Sequence, residues 1–513
     1  MKNSLPFISS MVIILALINS LCSSQNMGVI GLKETSGYSQ GYSQSIKTSD
    51  GGILAVGVTG PNGRITKFNS SYLELWSYGV DSIPITDIVE TNDGNYVILG
   101  YSTRSNFNGA PFIIKMNSAG TVIFKKMFYS TIVSNSFTAA GICKAAGADN
   151  GFVFYGGNCF AMDYMVKCDV NGNIQWENTY VGTGNGYFAS MISETNGYVT
   201  DFNTTQLSVP SIGIIKFDVS GNILWCNVMQ STNNVAPIKN SLVKKNNGDY
   251  FIMTSPGDVY GAQTYTVNST GTTTTCKRYI NTVQVEMTAA LATGNTNDEI
   301  LITGELSPGY GTYMKLDVSG NIVYQKQSNT FTSYFYHATS LHNGSYLISG
   351  GTGSYGKILA VIDETGAGVC STANTSLTSS SLTFNLTSPT LTPYAITVLD
   401  TDVNYSVYSF TQTRTNLCGS LNSDELSNND KELEIFPNPT SGMITIRSEK
   451  INSIKIYNAL GENIYSFSVN DLNSYSQESQ SITVDLSGQA NGIYFLKVET
   501  EKGFYSDKLI LQK

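Results

Sequence analysis

The chain has little charge, few histidines and no run of basic residues. Only 13% of its 513 residues are charged, two are histidine, and the formal net charge is −9. Basic residues cluster only in pairs such as Lys125-Lys126 and Lys244-Lys245. A protein that neutralises a phosphate backbone needs clustered lysine and arginine, so this composition argues against a nucleic-acid partner. Two histidines and the absence of Cys-x-x-Cys spacing exclude a histidine-rich site and give no sign of zinc.

Long apolar runs are missing from most of the chain, and the N-terminus carries the one exception. Lys2 precedes the apolar stretch 7–21, which has the length of a signal-peptide core and is shorter than the roughly 20 residues of a spanning helix. We expect residues 1–24 to be a signal peptide. A lipoprotein signal centred on Cys22 is the alternative, but Leu21 stands where a small residue is required. No later segment predicts a transmembrane helix, so we expect an exported, soluble protein.

Cysteine is scarce, and its number is odd after that cleavage. Export permits disulfides, but an odd count leaves at least one thiol unpaired. The pairs to test first are Cys143 with Cys159 and Cys370 with Cys418. The seven cysteines that remain are Cys143, Cys159, Cys168, Cys226, Cys276, Cys370 and Cys418.

Glycine (48 residues) and tyrosine (31 residues) are abundant, as are serine, threonine and asparagine. This mixture is typical of β-strands joined by tight turns. One pattern recurs every 46 to 52 residues when the turn position is counted from Ser71, which gives seven units. Each unit has an Asp-Gly or Asn-Gly turn, a short apolar strand, and then Lys-x-Asp/Asn-x-x-Gly-Asn-Ile-x-Trp. The clearest copies are residues 167–176, 216–225 and 315–324.

Both halves of the pattern predict hairpins. Asp-Gly or Asn-Gly between apolar runs is the strongest short-range hairpin signal. In the second half, the Asp accepts hydrogen bonds from amides of its own turn and the Gly takes the left-handed conformation. Each unit therefore predicts four strands. The repeat-turn residues are Asp169, Gly172, Asp218, Gly221, Asp317 and Gly320.

Four-stranded repeats of this length predict a β-propeller, because no helix pattern is available to cover the sheet faces. We predict an all-β protein, a seven-bladed β-propeller at residues 25–372 followed by a small antiparallel β-sandwich. Residues 27–32 are a candidate partner strand for the last blade, and residues 373–430 predict a small β extension and linker. The lysine before each turn Asp is interpreted as facing solvent or a neighbouring blade. Aromatic residues that end the units are expected between blades: Trp76, Trp176, Trp225 and Tyr324.

Residues 431–513 contain dense apolar strand patterns separated by turns, which predict the β-sandwich. The order of these elements closely resembles the C-terminal type A sorting domain of proteins exported by the type IX secretion system of Bacteroidota. The matching segments are 436–442, 456–461, Leu486 with 492–494, and 508–511. The expected sorting-signal residues are Pro437, Asn438, Pro439, Gly442, Gly461, Gly492, Tyr494 and Lys508.

This resemblance implies a route and a destination. The N-terminal signal would direct passage across the inner membrane, and the type IX outer-membrane machinery would then recognise the C-terminal domain. Cleavage near Lys431 would leave the protein secreted or attached to the cell surface. An ordinary immunoglobulin-like accessory domain is the alternative interpretation.

No catalytic residue, metal ligand or cofactor site emerges from the sequence. His337 and His342 are expected in structural or exposed positions, and the Asp-x-Asp-x-Asn start at 400–404 lacks the glycine and glutamate of a calcium loop. The first function class that remains is a monomer that binds an extracellular glycan or protein through variable loops. The second is a polysaccharide hydrolase or lyase with two carboxylates in the propeller channel. The candidate loops are residues 104–110, 181–186, 256–261 and 307–311.

Overall fold

The computed structural model divides the chain into two compact domains, residues Met1–Leu421 and Asn422–Lys513. The expected signal peptide lies outside the described residues. No helix long and apolar enough to cross a membrane occurs among the described residues. These are residues 28–34, 40–103, 109–130, 138–158, 162–181, 188–204, 211–230, 235–256, 261–280, 285–294, 297–306, 309–328, 334–341, 344–352, 356–368, 372–374, 377–381, 385–387, 392–394, 398–403, 405–419, 433–448, 451–458, 463–468, 480–500 and 503–513.

The first domain repeats one antiparallel arrangement, in which consecutive strands pair in order within each unit. Unit 1 holds β2 to β5, and units 2 to 6 follow in blocks of four. Unit 7 has only three strands from its own stretch of chain, β26 to β28. The strands are β2 (Gln40–Lys47), β3 (Ile53–Thr59), β4 (Asn62–Phe68), β5 (Glu74–Val80), β6 (Ile85–Glu90), β7 (Tyr96–Tyr101), β8 (Pro111–Met116), β9 (Val122–Ser130), β10 (Thr138–Lys144), β11 (Phe152–Asn158), β12 (Met162–Cys168), β13 (Ile174–Val181), β14 (Phe188–Glu194), β15 (Gly197–Thr204), β16 (Ser211–Phe217), β17 (Ile223–Gln230), β18 (Val235–Lys244), β19 (Tyr250–Pro256), β20 (Gly261–Val267), β21 (Thr273–Ile280), β22 (Val285–Ala292), β23 (Ile300–Leu306), β24 (Tyr310–Leu316), β25 (Ile322–Ser328), β26 (Tyr334–Ser340), β27 (Tyr346–Thr352) and β28 (Gly356–Ile362).

The units form a closed ring around their first strands. Each first strand contacts the first strand of the next unit, and β26 of unit 7 contacts β2 of unit 1. The apolar cores lie between neighbouring sheets, as where Leu54 and Ile65 of unit 1 meet Ile98 and Phe112 of unit 2. Neither sheet face could be buried within one unit, so stacking around the ring supplies the cover. The fold is all-β and propeller-like, as the sequence predicts.

The N-terminal strand completes the last unit. Strand β1 (Gly28–Lys33) pairs with β28, so residues from the start of the chain form the fourth strand of unit 7. Just beyond β1, the buried Glu34 accepts hydrogen bonds from Arg64 Nε at 2.9 and 2.8 Å and from Thr59 at 2.9 Å. Lys357 also donates to Glu34. The three buried charges of Glu34, Arg64 and Lys357, here called the seam, join units 7 and 1.

The sequence predicted a small β extension and linker at residues 373–430, but residues 372–419 instead pair with the repeat units. Their seven strands, here called the outer belt, each pair with the outermost strand of a different unit, visiting units 6, 5, 4, 3, 2, 1 and finally 7. The belt thus circles the ring in the direction opposite to the repeats. Unpaired outer edges would otherwise be exposed, and the belt covers them. Its strands are β29 (Thr372–Asn374), β30 (Thr378–Ser381), β31 (Asn385–Thr387), β32 (Thr392–Tyr394), β33 (Val398–Asp402), β34 (Val407–Ser409) and β35 (Thr413–Gly419).

The C-terminal domain is a sandwich of two antiparallel sheets. One has the order β36-β37-β40 and the other β39-β38-β41-β42. Alternating buried residues such as Ile444, Ile446, Ile454 and Ile456 fill the space between the sheets. The strands are β36 (Leu433–Phe436), β37 (Met443–Ser448), β38 (Ile451–Tyr457), β39 (Asn463–Ser468), β40 (Gln480–Asp485), β41 (Gly492–Thr500) and β42 (Gly503–Leu511).

Candidate functional site

The antiparallel order gives the ring two faces with different connections. The turns between strands one and two and between strands three and four of each unit lie on one face, here called the turn face. The connections between strands two and three, and from one unit to the next, lie on the opposite face, here called the loop face. The two faces are separated by the length of the strands.

The repeat-turn residues lie on the turn face and bond within their own turns. Asp218 Oδ1 accepts hydrogen bonds from the amides of Ser220 and Asn222 at 2.8 and 2.9 Å. Gly221 has a φ of 79° and donates its amide to the Asp218 carbonyl at 3.1 Å. Burial acts to raise the pKa of Asp218, but the bonds from Asn222 and Ser220 outweigh it, so the pKa lies below its usual value. The same bonds recur at Asp169 with Gly172 and at Asp317 with Gly320.

The first unit departs from the expected register by one residue. Tyr72 has a φ of 61° and donates its amide to the Asn69 carbonyl at 3.0 Å, as the turn glycines do in other units. Ser71, taken as the turn position in the sequence, is therefore one residue too early. The pattern was ambiguous there because no glycine marks the left-handed position.

The turn glycines let the aromatic residues reach the neighbouring unit. A Cβ on Gly120 would lie 3.0 Å from the Trp76 ring, and one on Gly271 would lie 2.9 Å from the Trp225 ring. Trp76 Nε1 also donates to the Ser118 carbonyl at 3.3 Å. Trp76 and Trp225 therefore lie between neighbouring sheets, as expected.

Of the two interpretations of the repeated lysines, the solvent-facing one is wrong for Lys67 and Lys115, whereas Lys115 does contact the neighbouring unit. Lys67 is fully buried, and its ammonium donates to Asp50 of the first turn in the same unit at 3.0 Å. Lys115 is also buried and pairs with Asp93 at 2.7 Å, while donating to the neighbouring unit at the Val170 carbonyl at 2.9 Å. These lysines link the two halves of one repeat. The lysine and its acidic partner lie 17 or more residues apart in the sequence, so a local sequence pattern does not reveal the ion pair.

Neighbouring first turns also hold one another. Glu90 of unit 2 accepts from the amide of Ser49 in unit 1 at 2.8 Å. Asn92 donates to the Asp149 carbonyl of unit 3 at 2.7 Å, and Asp298 of unit 6 accepts from the amide of Asn246 in unit 5 at 2.5 Å. These bonds link the turns of neighbouring units across the turn face, which is the organisation of a structural surface.

The connections of the loop face are irregular compared with the turns between strands three and four, although the turns between strands one and two on the turn face also vary, from two residues at 195–196 to seven at 145–151. The connection between strands two and three is two residues long at 60–61 and nine at 102–110. Turns between strands three and four are five residues long in each of units 1 to 6, at 69–73, 117–121, 169–173, 218–222, 268–272 and 317–321. All four loops that the sequence marked as variable connect strands on the loop face, and their central residues lie outside the described ranges.

The described part of the loop face presents two carboxylates beside two tyrosines. Glu286 on β22 is the direct partner of Glu305 on β23, so both side chains lie on the same side of the sheet. Tyr334 and Tyr336 of the next unit are exposed, with ring planes 6° apart and centroids 6.1 Å apart. Burial, then the charges of Tyr334, Glu305 and Glu286, raises the pKa of Tyr336 to about 12, which places all four groups close together.

The charge of this cluster is not compensated within the described residues, where neither carboxylate has a hydrogen bond or ion pair. Burial and the charge of Glu286 raise the pKa of Glu305. Two like charges held side by side give this effect. No sequence motif marks this pair, although the hairpin register of β22 and β23 carries the signal.

At the centre of the ring, the first strands enclose a cavity of about 320 Å³. Every first strand has a bulge where it pairs with the second strand. A bulge redirects the side chain that follows it, and Gln44, Asp87, Ser190 and His337 follow bulges and line the cavity. His337 thus lies on strand β26 in the cavity wall, and His342 lies outside the described residues.

Four cysteines of the ring are free buried thiols: Cys143, Cys168, Cys226 and Cys276. Burial raises the pKa of Cys226 and of Cys276 to about 12, so these thiols are poor nucleophiles. Cys143 is not in a disulfide, and Cys159, its expected partner, lies outside the described residues. Within the described ranges, no group of three or more His, Cys, Asp or Glu side chains could hold a metal ion.

In the C-terminal domain, signature residues far apart in sequence come together. Asn438 Oδ1 accepts from the amide of Ile510 at 3.0 Å, which ties the Pro437–Pro439 segment to β42, the strand that holds Lys508. Gly442 accepts at its carbonyl from the Leu486 amide at 2.7 Å. Tyr494 donates to the Ala490 carbonyl at 2.6 Å, and Gly492 begins β41. Gly461 lies outside the described residues.

Comparison with known families agrees with this geometry. Residues 434–512 match the secretion system C-terminal sorting domain family. The chain therefore carries a sorting domain and is a substrate of the type IX secretion system. That route makes it a secreted or cell-surface protein after cleavage.

No curated protein matches the chain. Among solved structures, a protein of unknown function from Dyadobacter fermentans DSM 18053 is 9% identical, with a TM-score of 0.37, covering 65% of this chain and 97% of that one. Sqt1 from Chaetomium thermophilum is 10% identical, with a TM-score of 0.38, covering 65% and 99%. These TM-scores are too low to support an inference about function.

Proposed function

We propose that the protein works outside the cell as a non-catalytic binding protein whose loop face holds an extracellular glycan or protein. The observation that carries this proposal is the contrast between the faces. The turns between strands three and four bond within themselves and to neighbouring units, while the loop face presents an uncompensated polar cluster beside connections of two to nine residues. Binding loops on a rigid scaffold have this organisation.

The cluster supplies the contacts such a ligand needs. The parallel rings of Tyr334 and Tyr336 offer a flat apolar surface with hydroxyl groups at its edge. Glu286 and Glu305 offer acceptors for hydroxyl or N–H groups of the ligand. Glu305 is partly buried and lacks partners in the described chain, so a donor from a ligand would improve its environment.

A glycan array probed with the full chain tests the proposal, followed by affinity measurements on any glycan that binds. We expect the double variant Tyr334→Ala, Tyr336→Ala to weaken that binding at least tenfold. Tyr101→Ala is the matched control, because Tyr101 is equally exposed and ends strand two of unit 2 on the same face. Sedimentation velocity on the same sample tests whether one copy of the chain is the binding unit.

Two results would count against the proposal. The first is an array on which neither glycans nor a parallel panel of extracellular proteins bind the chain. The second is a double tyrosine variant that binds as tightly as the unchanged protein, while Tyr101→Ala does not.

A polysaccharide hydrolase or lyase is the second candidate function, and the same pair of carboxylates favours it. Directly opposite residues on adjacent strands have Cβ atoms about 5 Å apart, close to the separation of the two carboxylates in retaining glycosidases. With its raised pKa, Glu305 would be the acid and Glu286 the nucleophile. Release of reducing ends from a polysaccharide panel, abolished by Glu305→Gln and Glu286→Gln, is the expected result. Absence of release by the unchanged protein removes this candidate.

A further inference from the structure

We infer that the axial cavity is a second binding site, specific for one small, uncharged molecule that carries hydroxyl groups. This site is distinct from the loop-face cluster and does not depend on the function proposed for it. The size of the cavity, the unmet hydrogen bonds of Gln44 and Tyr155 in its wall, and its charge all point to such a ligand.

The cavity has a defined size and a mixed wall. Its volume of about 320 Å³ corresponds to about ten water molecules at roughly 30 Å³ each. Apolar side chains from several units form part of the wall, among them Ile46, Met191, Leu242 and Leu291. Ligand sites of small molecules combine such apolar walls with a few polar groups that fix orientation.

Gln44 and Tyr155 in the wall each have a polar group that lacks a hydrogen-bond partner in the described chain. The amide oxygen of Gln44 is buried and accepts no hydrogen bond, although only 8% of the residue is exposed. Tyr155 accepts from the Met191 amide at 3.0 Å, but its own O–H has no acceptor among the described residues. One group needs a donor and the other needs an acceptor. A hydroxyl group both donates and accepts, so a hydroxylated ligand can satisfy both.

The charges of the wall favour a neutral ligand. Asp87 is the one carboxylate among the described lining residues, and its two oxygens accept from the amides of Ile88 and Ile142 at 2.8 and 3.1 Å. Lys47 contributes the opposite charge. The hydroxyl groups of Ser45 and Thr339 lie 3.4 Å apart, and Ser45 bonds to Ser349 at 3.1 Å, so this part of the wall is already fixed. A charged ligand would find no unpaired counter-charge there.

Saturation-transfer NMR on the full chain, with myo-inositol and D-glucose as probes, tests the inference. We expect saturation transfer to at least one of these neutral probes, and none to D-glucuronate or D-glucosamine. Gln44→Met and Tyr155→Phe should each weaken binding about tenfold. Tyr180→Phe is the matched control, because its buried hydroxyl donates to the Gly221 carbonyl at 2.7 Å, outside the cavity wall.

The outcomes separate this site from the loop face. Binding that survives Tyr334→Ala, Tyr336→Ala but falls in Gln44→Met supports the inference, whatever becomes of the loop-face proposal. Thermal unfolding of each variant checks that it is folded. If Tyr155→Phe does not fold, Gln44→Met alone tests the inference. No transfer to either neutral probe means that the cavity holds water only, which overturns the inference. Equal binding by Gln44→Met and the unchanged protein overturns it as well.

Discussion

The two faces of the ring are built on the same strands and differ in what their connections do. On the turn face, the turn between strands three and four has five residues with an Asp or Asn and a left-handed position in units 1 to 6, whereas the turn between strands one and two varies from two to seven residues. On the loop face, connections range from two to nine residues, and carboxylates stand without partners in the described chain. The repeated stabilising bonds therefore lie at one end of the strands, and the proposed binding site lies at the other.

The faces also differ in how they are held together. Many separate bonds between neighbouring turns hold the turn face, so the loss of any one is a small change. At the loop-face ends of β1, β4 and β28, the seam concentrates three buried charges in one place. Phe410 of the outer belt covers it, with its ring 4.8 Å from Arg64 Cζ.

Glu34→Gln at the seam should have the largest effect on stability. Burial acts to raise the pKa of Glu34, but Arg64 and Lys357 outweigh it and hold that pKa below its usual value. Replacing the carboxylate leaves two buried cations without their partner, which costs about 3–5 kcal/mol. Urea denaturation of the full chain at pH 7 measures this loss.

Two controls test whether the seam is special. Glu90→Gln on the turn face should cost less than about 1 kcal/mol, because it changes one exposed pair. The stability supplied by Glu34 is present above its unfolded pKa of about 4.5 and should fall as pH drops through its lower folded value. Equal losses for Glu34→Gln and Glu90→Gln would contradict the difference between the faces.

Asp201 tests the middle of the strands, between the two faces. Burial raises its pKa to about 7, although the Ser190 amide and the Ser241 hydroxyl donate to it at 2.7 and 3.0 Å. The folded state therefore holds this proton more tightly than the unfolded state. The resulting stabilisation is complete below pH 3.8 and falls as pH rises through about 7. The fall amounts to at most about 4 kcal/mol.

Asp201→Asn should flatten this decline, because asparagine remains neutral and keeps an acceptor for the Ser190 amide. Free energies of unfolding at pH 5 and pH 8 provide the measurement. Asp218→Asn on the turn face is the control, since the lowered pKa of Asp218 keeps it ionised at both pH values and its replacement should leave the difference between them unchanged. A pH dependence that is identical in Asp201→Asn and the unchanged protein would refute this assignment.

The sequence predicted the turn face well because its signals are local. Asp218, Gly221 and Trp225 act within one turn or on the next unit, and the repeat makes them visible. The buried role of Lys67 was missed, because its partner lies across two strands. The outer belt was misread as a separate extension, because strands as short as Thr372–Asn374 carry no sign of the distant edge that they cover. The acidic pair could be predicted only from the register in which β22 pairs with β23.

Two glycines separate the contribution of backbone conformation from that of packing on the turn face. Gly248 has a φ of 92° with nothing within 4 Å of a Cβ, so Gly248→Ala should cost about 1 kcal/mol for the left-handed backbone alone. Gly221 has a φ of 79°, and a Cβ there would lie 2.7 Å from Asn178 and 3.0 Å from Tyr180. Gly221→Ala should cost about 1–2 kcal/mol more, because the neighbouring unit must move. Similar losses in the two variants, measured by urea denaturation, would mean that the contact between units is loose.

The smallest expected effect has the opposite sign and bears most directly on the loop face. Glu305→Gln should raise the free energy of unfolding by less than about 1 kcal/mol at pH 7, because it removes repulsion from Glu286 in a partly exposed position. The raised pKa of Glu305 means that this gain should shrink as pH falls. Glu194 on the turn-face side accepts from Tyr250 at 2.9 Å and pairs with Lys216 at 2.8 Å, so Glu194→Gln should destabilise. A carboxylate whose removal stabilises the fold is retained for another reason, such as a ligand. If Glu305→Gln instead destabilises as Glu194→Gln does, the cluster is structural and the loop face resembles the turn face.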